Sequence, residues 1–468
     1  MTTYGIQLSR PGTAARRLRG VFTGDVHQPG DPRYDAARPA WNRRIDPRPA
    51  IVAEAAGRDD VWTAVLVARE HDLPLAVQAT GHGTVTPADD GLLLKTARMA
   101  SVRVDPYRGT ARTGPGALWS DVIAAAQPYG LATVSGTPSI GVTGYTLGGG
   151  AGWLSRMYGF AADNLLSAEM VTADGEIVTA DADRHPDLFW ALRGGSGNFG
   201  VVTALEFRLH PVDHVYAGVS LYPLDRAADV LQRYRDWAAR EPDRLNTSVT
   251  LLRMPATPQV PEPMRGRRLL AVRVFYAGRY EDADQHLGPL LAAAGPPLQD
   301  GFNAMTFAEA GQAIAGPPPA PIAAVQHIDL FQDLPDAVLD TLLDAIEPGP
   351  DSPPSAVSAI EVRHWGGAMA RPTPDSGPAG HRDVPFSVLA TAIDPDPARH
   401  DSPIDNAVTD LATRLRPHAT GGSFLNFLTD PARTATAFTE TNYRRLREAK
   451  KTWDPDNVFH LNHNIPPA

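Results

Sequence analysis

Cysteine is absent from the 468 residues. That removes disulfides, thiolate nucleophiles and cysteine-ligated metal sites together. No run of about 18 apolar residues occurs, so no segment is expected to span a membrane. The opening MTTYGIQLSRPGTAARRLRG lacks the apolar core of a secretory signal, and a cytoplasmic location is the expectation. Positive charge is not in excess: 43 Lys and Arg stand against 53 Asp and Glu, a net −10. Such a chain is a poor partner for nucleic acid or an anionic membrane. There is no HExxH run and no close His/Asp cluster at zinc spacing, so no metal is expected. Proline is frequent but dispersed. It gathers only in GPPPAPIA (316–323) and EPGPDSPPSA (347–356), which read as surface connections.

The length predicts two or three domains. Residues 50–56 and 75–79 read as strands, and 59–73 between them has helical period, with Val61, Ala64, Val65 and Val67 apolar. This is a strand–helix–strand unit. Short strands are expected at 91–97 and 109–117, then a helix at 118–130 closed by Gly130. Residues 165–181 read as a hairpin turning at Asp174-Gly175. Beyond 212 come strands at 215–223, 248–254, 269–278 and 356–369, with helices at 227–240 and 335–346 between them. That alternation predicts an α+β sheet domain. A helix, a DPDN turn and an extended tail end the chain.

Two stretches are built for close approach of the backbone to something else. QATGHGT (78–84) sets His82 between two glycines, although a Gly-His-Gly triplet alone also describes a solvated loop tip. GTPSIGVTGYTLGGGAGWLSRMYGFAADNL (136–165) holds eight glycines. A segment so poor in side chains is expected to pack no core of its own and to bring amides to a large, often anionic, ligand. The regular apolar residues Ile140, Val142, Leu147, Trp153 and Leu154 argue against a flexible linker.

Taken in order, GHG (81–83), TLGGGAGWLSRMYG (146–159), ADN (162–164), LFWALRGGSGNFGVVT (188–203) and the NYRRL…DPDNVF ending resemble the berberine-bridge-enzyme-like flavoproteins of the vanillyl-alcohol-oxidase/PCMH superfamily. The resemblance runs from about Leu18 to the end. It implies an α+β protein: a two-part PCMH-type FAD-binding domain with an inserted antiparallel-sheet substrate domain. The corresponding boundaries are 1–212 and 439–468 for the first and 213–438 for the second. It implies FAD contacts from Gln78, Ala79, Thr80, Gly81, His82 and Gly83; from Thr137, Ile140, Gly141, Gly144, Tyr145, Gly148, Gly149 and Gly152; and from Asn198, Gly200, Val202, Asn462 and Asn464. His82 matches the histidine that such proteins bond to the flavin 8α-methyl. Ile140 matches a position that gates oxygen, where isoleucine leaves oxidase and dehydrogenase behaviour both open.

Three departures matter. Thr137 stands where many members carry a second, cysteinyl flavin bond, so no 6-S-cysteinyl link can form. The family's Tyr-x-Asn-Tyr run, source of its usual proton acceptor, is Phe424-Leu425-Asn426-Phe427 here. An alternative glutamate after a His-Arg pair corresponds to Ala390. General-base help is worth about 10²–10⁴-fold, so its loss is informative. The remaining candidates are Tyr145, inside the glycine segment, then Glu361, Arg363 and Trp365 on one face of a strand, His364 on its opposite face, and His327 on another strand. The implied activity is FAD-dependent hydride abstraction from a small secondary metabolite, with dioxygen as acceptor. Its rivals are a non-redox cyclase or isomerase that keeps FAD structurally, and a flavin-binding protein without chemistry.

Overall fold

A computed structural model describes residues 10–258, 260–316, 320–348, 355–394 and 403–468. The two proline clusters lie partly outside these. The helix Arg58–Glu70 buries Val61, Ala64, Val65, Val67 and Ala68 along one face, as a 3.6-residue period requires. It joins Ile51–Glu54 to Leu75–Gln78, but those strands do not pair with each other. Leu92–Lys95 enters between them and runs parallel to both. Asp25–His27 adds an antiparallel edge, giving a four-stranded sheet. Parallel strands read as apolar runs, which IVAE, LAVQ and LLLK do, with Val77 exposed on the cavity side. The chain leaves the carboxyl end of Leu75–Gln78 directly into the Gly-His-Gly loop. The carboxyl ends of such strands are where α/β sheets bind ligands.

A second, antiparallel sheet orders Val102–Asp105, Thr110–Thr113, Val201–Arg208, Leu165–Val171 and Ile177–Asp181. Its hairpin turns where expected. Gly175 has φ +86°, a left-handed conformation that glycine adopts without a Cβ penalty.

The glycine-rich segment corrects one expectation. Val142–Leu147 is a helix, and Val142, Tyr145, Leu147 and Leu154 belong to a core shared with Trp119, Leu188 and Phe207. The helix buries one face as side chains and leaves its glycine face bare. Helices at Arg10–Val21, Tyr280–Ala294, Phe307–Ala315 and Ile404–Leu415 were not anticipated either. The strand expected over 356–369 is confined to Ala359–His364, because Gly366 (φ +86°) and Gly367 (φ +58°) turn the chain.

The third sheet has seven antiparallel strands in the order Asn303–Thr306, His214–Pro223, Arg268–Tyr276, Leu245–Arg253, Ala359–His364, Phe386–Asp394 and Ala323–Phe331. Side chains alternate across it with period two. Val249, Leu270, Val272, Ile360, Val362, Val388 and Ala390 pack under helices that include Ala227–Ala238, Tyr280–Ala294 and Asp336–Ile346. The opposite face turns toward the rest of the molecule.

The final helix, Glu440–Trp453, packs on Pro186–Leu192. Its Lys450 is fully buried and donates to Asn198 O (2.7 Å), Phe459 O (2.9 Å) and Asp454 Oδ2 (2.6 Å). The extended tail is thereby tied to the loop around Asn198. No helix among the described residues is long and apolar enough to cross a membrane.

Candidate active site

A cavity of about 710 Å³ lies between the carboxyl end of the four-stranded sheet, the glycine segment, the tail and the bare face of the seven-stranded sheet. Of the residues expected to touch a cofactor, Gln78 to Gly83, Thr137, Ile140, Gly141, Gly144, Tyr145, Gly148, Gly152, Asn198, Gly200, Val202 and Asn462 line it. Gly149 and Asn464 do not. Gly149 is set against Phe424, and Asn464 holds a buried Oδ1 with no partner among the described residues.

The glycines fall into two groups. A Cβ at Gly83, Gly144 or Gly197 would meet nothing within 4 Å, and all three residues line the cavity. Their bare backbone faces space that a ligand can use. A Cβ at Gly148 would lie 2.6 Å from Asn426 Nδ2, at Gly150 2.5 Å from Tyr145 Cε1, and at Gly152 2.1 Å from Ser135 O. Those glycines are demanded by the protein's own packing.

His82 is exposed on the cavity wall, with its ring 4.5 Å from that of Trp41. The surrounding wall desolvates the imidazole and pushes its pKa below the ordinary value. His82 is therefore neutral at pH 7, with a ring lone pair available. The loop is held from two sides. Trp41 N donates to Gly81 O, while Asn462 accepts from Val85 N (2.8 Å) and donates to Gly83 O (3.1 Å). Asn462 adopts φ +129°, which is rare for a residue with a side chain and reflects how firmly the tail is placed. Asn198 spends its amide on protein: Nδ2 donates to Gly195 O and His463 O, and Oδ1 accepts from Ile465 N.

The three candidate proton acceptors are not brought together. Tyr145 lies in the wall, but its hydroxyl is enclosed beneath Gly152 and has no hydrogen-bond partner among the described residues. Burial raises its pKa, so it stays a neutral phenol. Glu361 accepts from Arg273 Nη1 at 2.7 Å and from Arg363 Nη2 at 3.0 and 3.1 Å. Burial works to raise its pKa, but the two guanidiniums prevail and hold it at about 2. His364 lies on the helix face, away from the cavity, beside Glu241 and Arg156 at 3.0 Å each. His327 pairs with Asp329 at the sheet edge. Ala390, the position matched to the family's glutamate, is under the helices, and its neighbour Leu389 is on the other face, opposite Glu361.

Sequence reasoning missed three residues of this site, Trp41, Asn426 and Arg273, and placed Arg363 only as a face-mate of Glu361. Trp41 carries no local signal. Asn426 stood inside a run that was read only for its missing phenols. It accepts from Gly150 N (2.9 Å) and donates to Tyr145 O (3.0 Å), bracing the glycine segment. Arg273 and Arg363 line the cavity from separate strands. Outside the cavity, Asp25, His27 and Glu54 bring potential metal-ligating atoms within 4.8 Å of one another, with Asp25 already 3.2 Å from Arg98.

A glycine-walled cleft with His82 on its rim faces an antiparallel sheet, the arrangement that the resemblance to PCMH-type FAD-binding oxidoreductases implies. Comparison with known proteins agrees. The FAD binding domain family matches residues 49–181, and the berberine and berberine-like family matches residues 423–466. An FAD-linked oxidoreductase of Bacillus subtilis is 28% identical, over 95% of this chain and 97% of its own. The (R)-6-hydroxynicotine oxidase of Paenarthrobacter nicotinovorans is 29% identical, again over 95% and 97%. The crystal structure of 6-hydroxy-D-nicotine oxidase from Arthrobacter nicotinovorans superposes with TM-score 0.82 at 27% identity, covering 96% of this chain and 98% of that one. Berberine bridge enzyme from Eschscholzia californica shares the fold at TM-score 0.84 and 20% identity, covering 97% and 99%. The chain is an FAD-linked oxidoreductase, similar in sequence and fold to the berberine-bridge-enzyme-like proteins.

Proposed function

We propose that this protein is an FAD-dependent oxidase of a small organic substrate, with its cofactor bonded covalently through His82 alone. The observation that carries the reading is His82 itself: neutral, on the cavity rim, oriented by Trp41, in a chain with no thiol to make a second link. Bound FAD supplies a hydride acceptor at flavin N5, with dioxygen taking the electrons on to hydrogen peroxide. Gly83, Gly144 and Gly197 leave room for the cofactor to lie against backbone. Asn426 and Asn462 hold that backbone in place. Residues 1–212 and 439–468 form the cofactor domain and 213–438 the substrate domain in this reading. The ties from Lys450 and Asn198 to the tail support it.

Tyr145 contributes as a packed, neutral phenol beneath the glycine segment. Glu361 is engaged by two arginines and His364 faces away, so neither is assigned proton abstraction. The test is acid precipitation. Wild-type protein should give a yellow pellet and His82→Ala a colourless one, with the flavin in the supernatant. A colourless wild-type pellet refutes covalent attachment. Flavin that substrate fails to bleach under anaerobic conditions refutes hydride transfer.

A further inference from the structure

The bare face of the seven-stranded sheet presents Arg273 and Arg363 to the cavity, on strands separated by Leu245–Arg253. Both guanidiniums converge on one carboxylate, Glu361. Two positive charges against one negative leave this wall net positive. Among the described residues nothing else in the cavity lining balances it, because none of those lining it is Asp or Glu. That is unusual in a chain with ten more acidic than basic residues. Arg44, a third lining arginine, is already paired with Asp405 at 2.6 Å.

The donors are also unspent. A guanidinium has five N–H groups. Arg273 uses Nη1 on Glu361, and its buried Nε has no hydrogen-bond partner among the described residues. Arg363 uses Nη2 on Glu361 and shows no other hydrogen bond among the described residues. The rings of Trp153 and Phe427, both in the cavity wall, lie 5.4 Å from the Arg273 guanidinium and 5.8 Å from that of Arg363. These contacts set the cations beside apolar surface, which partly shields them from water. Ile140, Ile314 and Ala324 extend that apolar wall.

We propose that Arg363 and Arg273 form an anchoring subsite for a carboxylate, so that the substrate is a carboxylic acid with an apolar or aromatic frame. This rests on the cavity being the substrate site of an FAD oxidoreductase. The planar fork of arginine matches a carboxylate in a way that a neutral isostere cannot. Glu361 keeps both guanidiniums aimed and costs part of their attraction for an incoming anion. The anchored carboxylate orients the oxidised carbon, and it selects acids over the corresponding amides and alcohols.

The test is calorimetric titration of the holoenzyme with benzoate and, in parallel, with benzamide, after flavin content is measured on the same samples. Benzoate should bind about 10–100-fold more tightly than benzamide, the range of one or two charge-assisted hydrogen bonds. Arg363→Gln should bring benzoate down to the benzamide level. Glu361→Gln, which keeps an acceptor but removes the competing charge, should tighten benzoate and leave benzamide unchanged. Damage to the fold cannot produce that gain, so Glu361→Gln decides if Arg363→Gln fails to accumulate. Equal affinity for the two probes in wild type, no saturable benzoate binding, or weaker benzoate binding in Glu361→Gln overturns the subsite. Flavin-free wild-type protein refutes the underlying cofactor reading instead. Flavin-loaded protein that treats the two probes alike refutes only the carboxylate anchor.

Discussion

Replacing Lys450 by methionine tests how the tail is held and what that does for the cofactor. The ammonium group is fully buried and bonds Asn198 O, Phe459 O and Asp454 Oδ2. Methionine keeps the length of the stem and removes the charge. Asp454, also fully buried, then keeps only the amides of Val458 (2.8 Å) and Phe459 (2.9 Å). Breaking a buried pair by removing one partner costs about 3–5 kcal/mol. The two amide bonds that remain on Asp454 place the expected loss near the lower end, about 3 kcal/mol. Adding Asp454→Asn removes the orphaned charge and should recover more than half of that loss. Urea unfolding followed by tryptophan fluorescence measures both variants. Flavin retention should fall in parallel, because the Asn198 loop loses one of its ties to the tail. A loss below about 1 kcal/mol for Lys450→Met, or no recovery in the double variant, refutes the reasoning.

The two groups of glycines should separate in experiment. Gly144→Ala places its Cβ in open cavity within a helix, so it should leave the apoprotein's stability unchanged or up to about 1 kcal/mol higher while lowering flavin content. Gly152→Ala drives its Cβ onto Ser135 O and should unfold the segment outright; thermal melts and flavin absorbance of the two variants together distinguish the cases. His210 stacks on Tyr158 and bonds Asn164 Oδ1 at 2.7 Å, and burial, aided by Arg208, lowers its pKa to about 4. The unfolded chain protonates this residue near pH 6.5 and the folded protein only near 4, so stability should be lost as pH falls through that window, by about 3 kcal/mol. His210→Gln should flatten this part of the stability–pH curve, and an unchanged slope counts against the assignment.

Much of the architecture was legible because period and punctuation are local. Val61, Ala64, Val65 and Val67 mark a helix wherever it packs, and Asp174-Gly175 marks a turn whatever surrounds it. The Gly-His-Gly triplet, the glycine run and the DPDNVF ending, read in order, were enough to point to the family and to one side of the cavity wall. Absence was equally decisive: with no cysteine, a thioether to the flavin is ruled out by composition.

What the sequence could not decide was direction and distance. Leu92–Lys95 inserts between two strands that are adjacent in sequence, because parallel pairing is set by crossover packing and not by chain order. One residue of parity moves Ala390 under the helices and Leu389 to the other face, and it separates Glu361 from His364 by the thickness of the sheet. The glycines look alike in sequence, yet Gly144 faces a void while Gly152 faces a carbonyl oxygen. Arg273 and Arg363 are ninety residues apart, and only the seven-stranded sheet brings both onto one carboxylate. The net charge of a cavity wall is a sum over elements that meet only in three dimensions, so an acidic chain can enclose a cationic site.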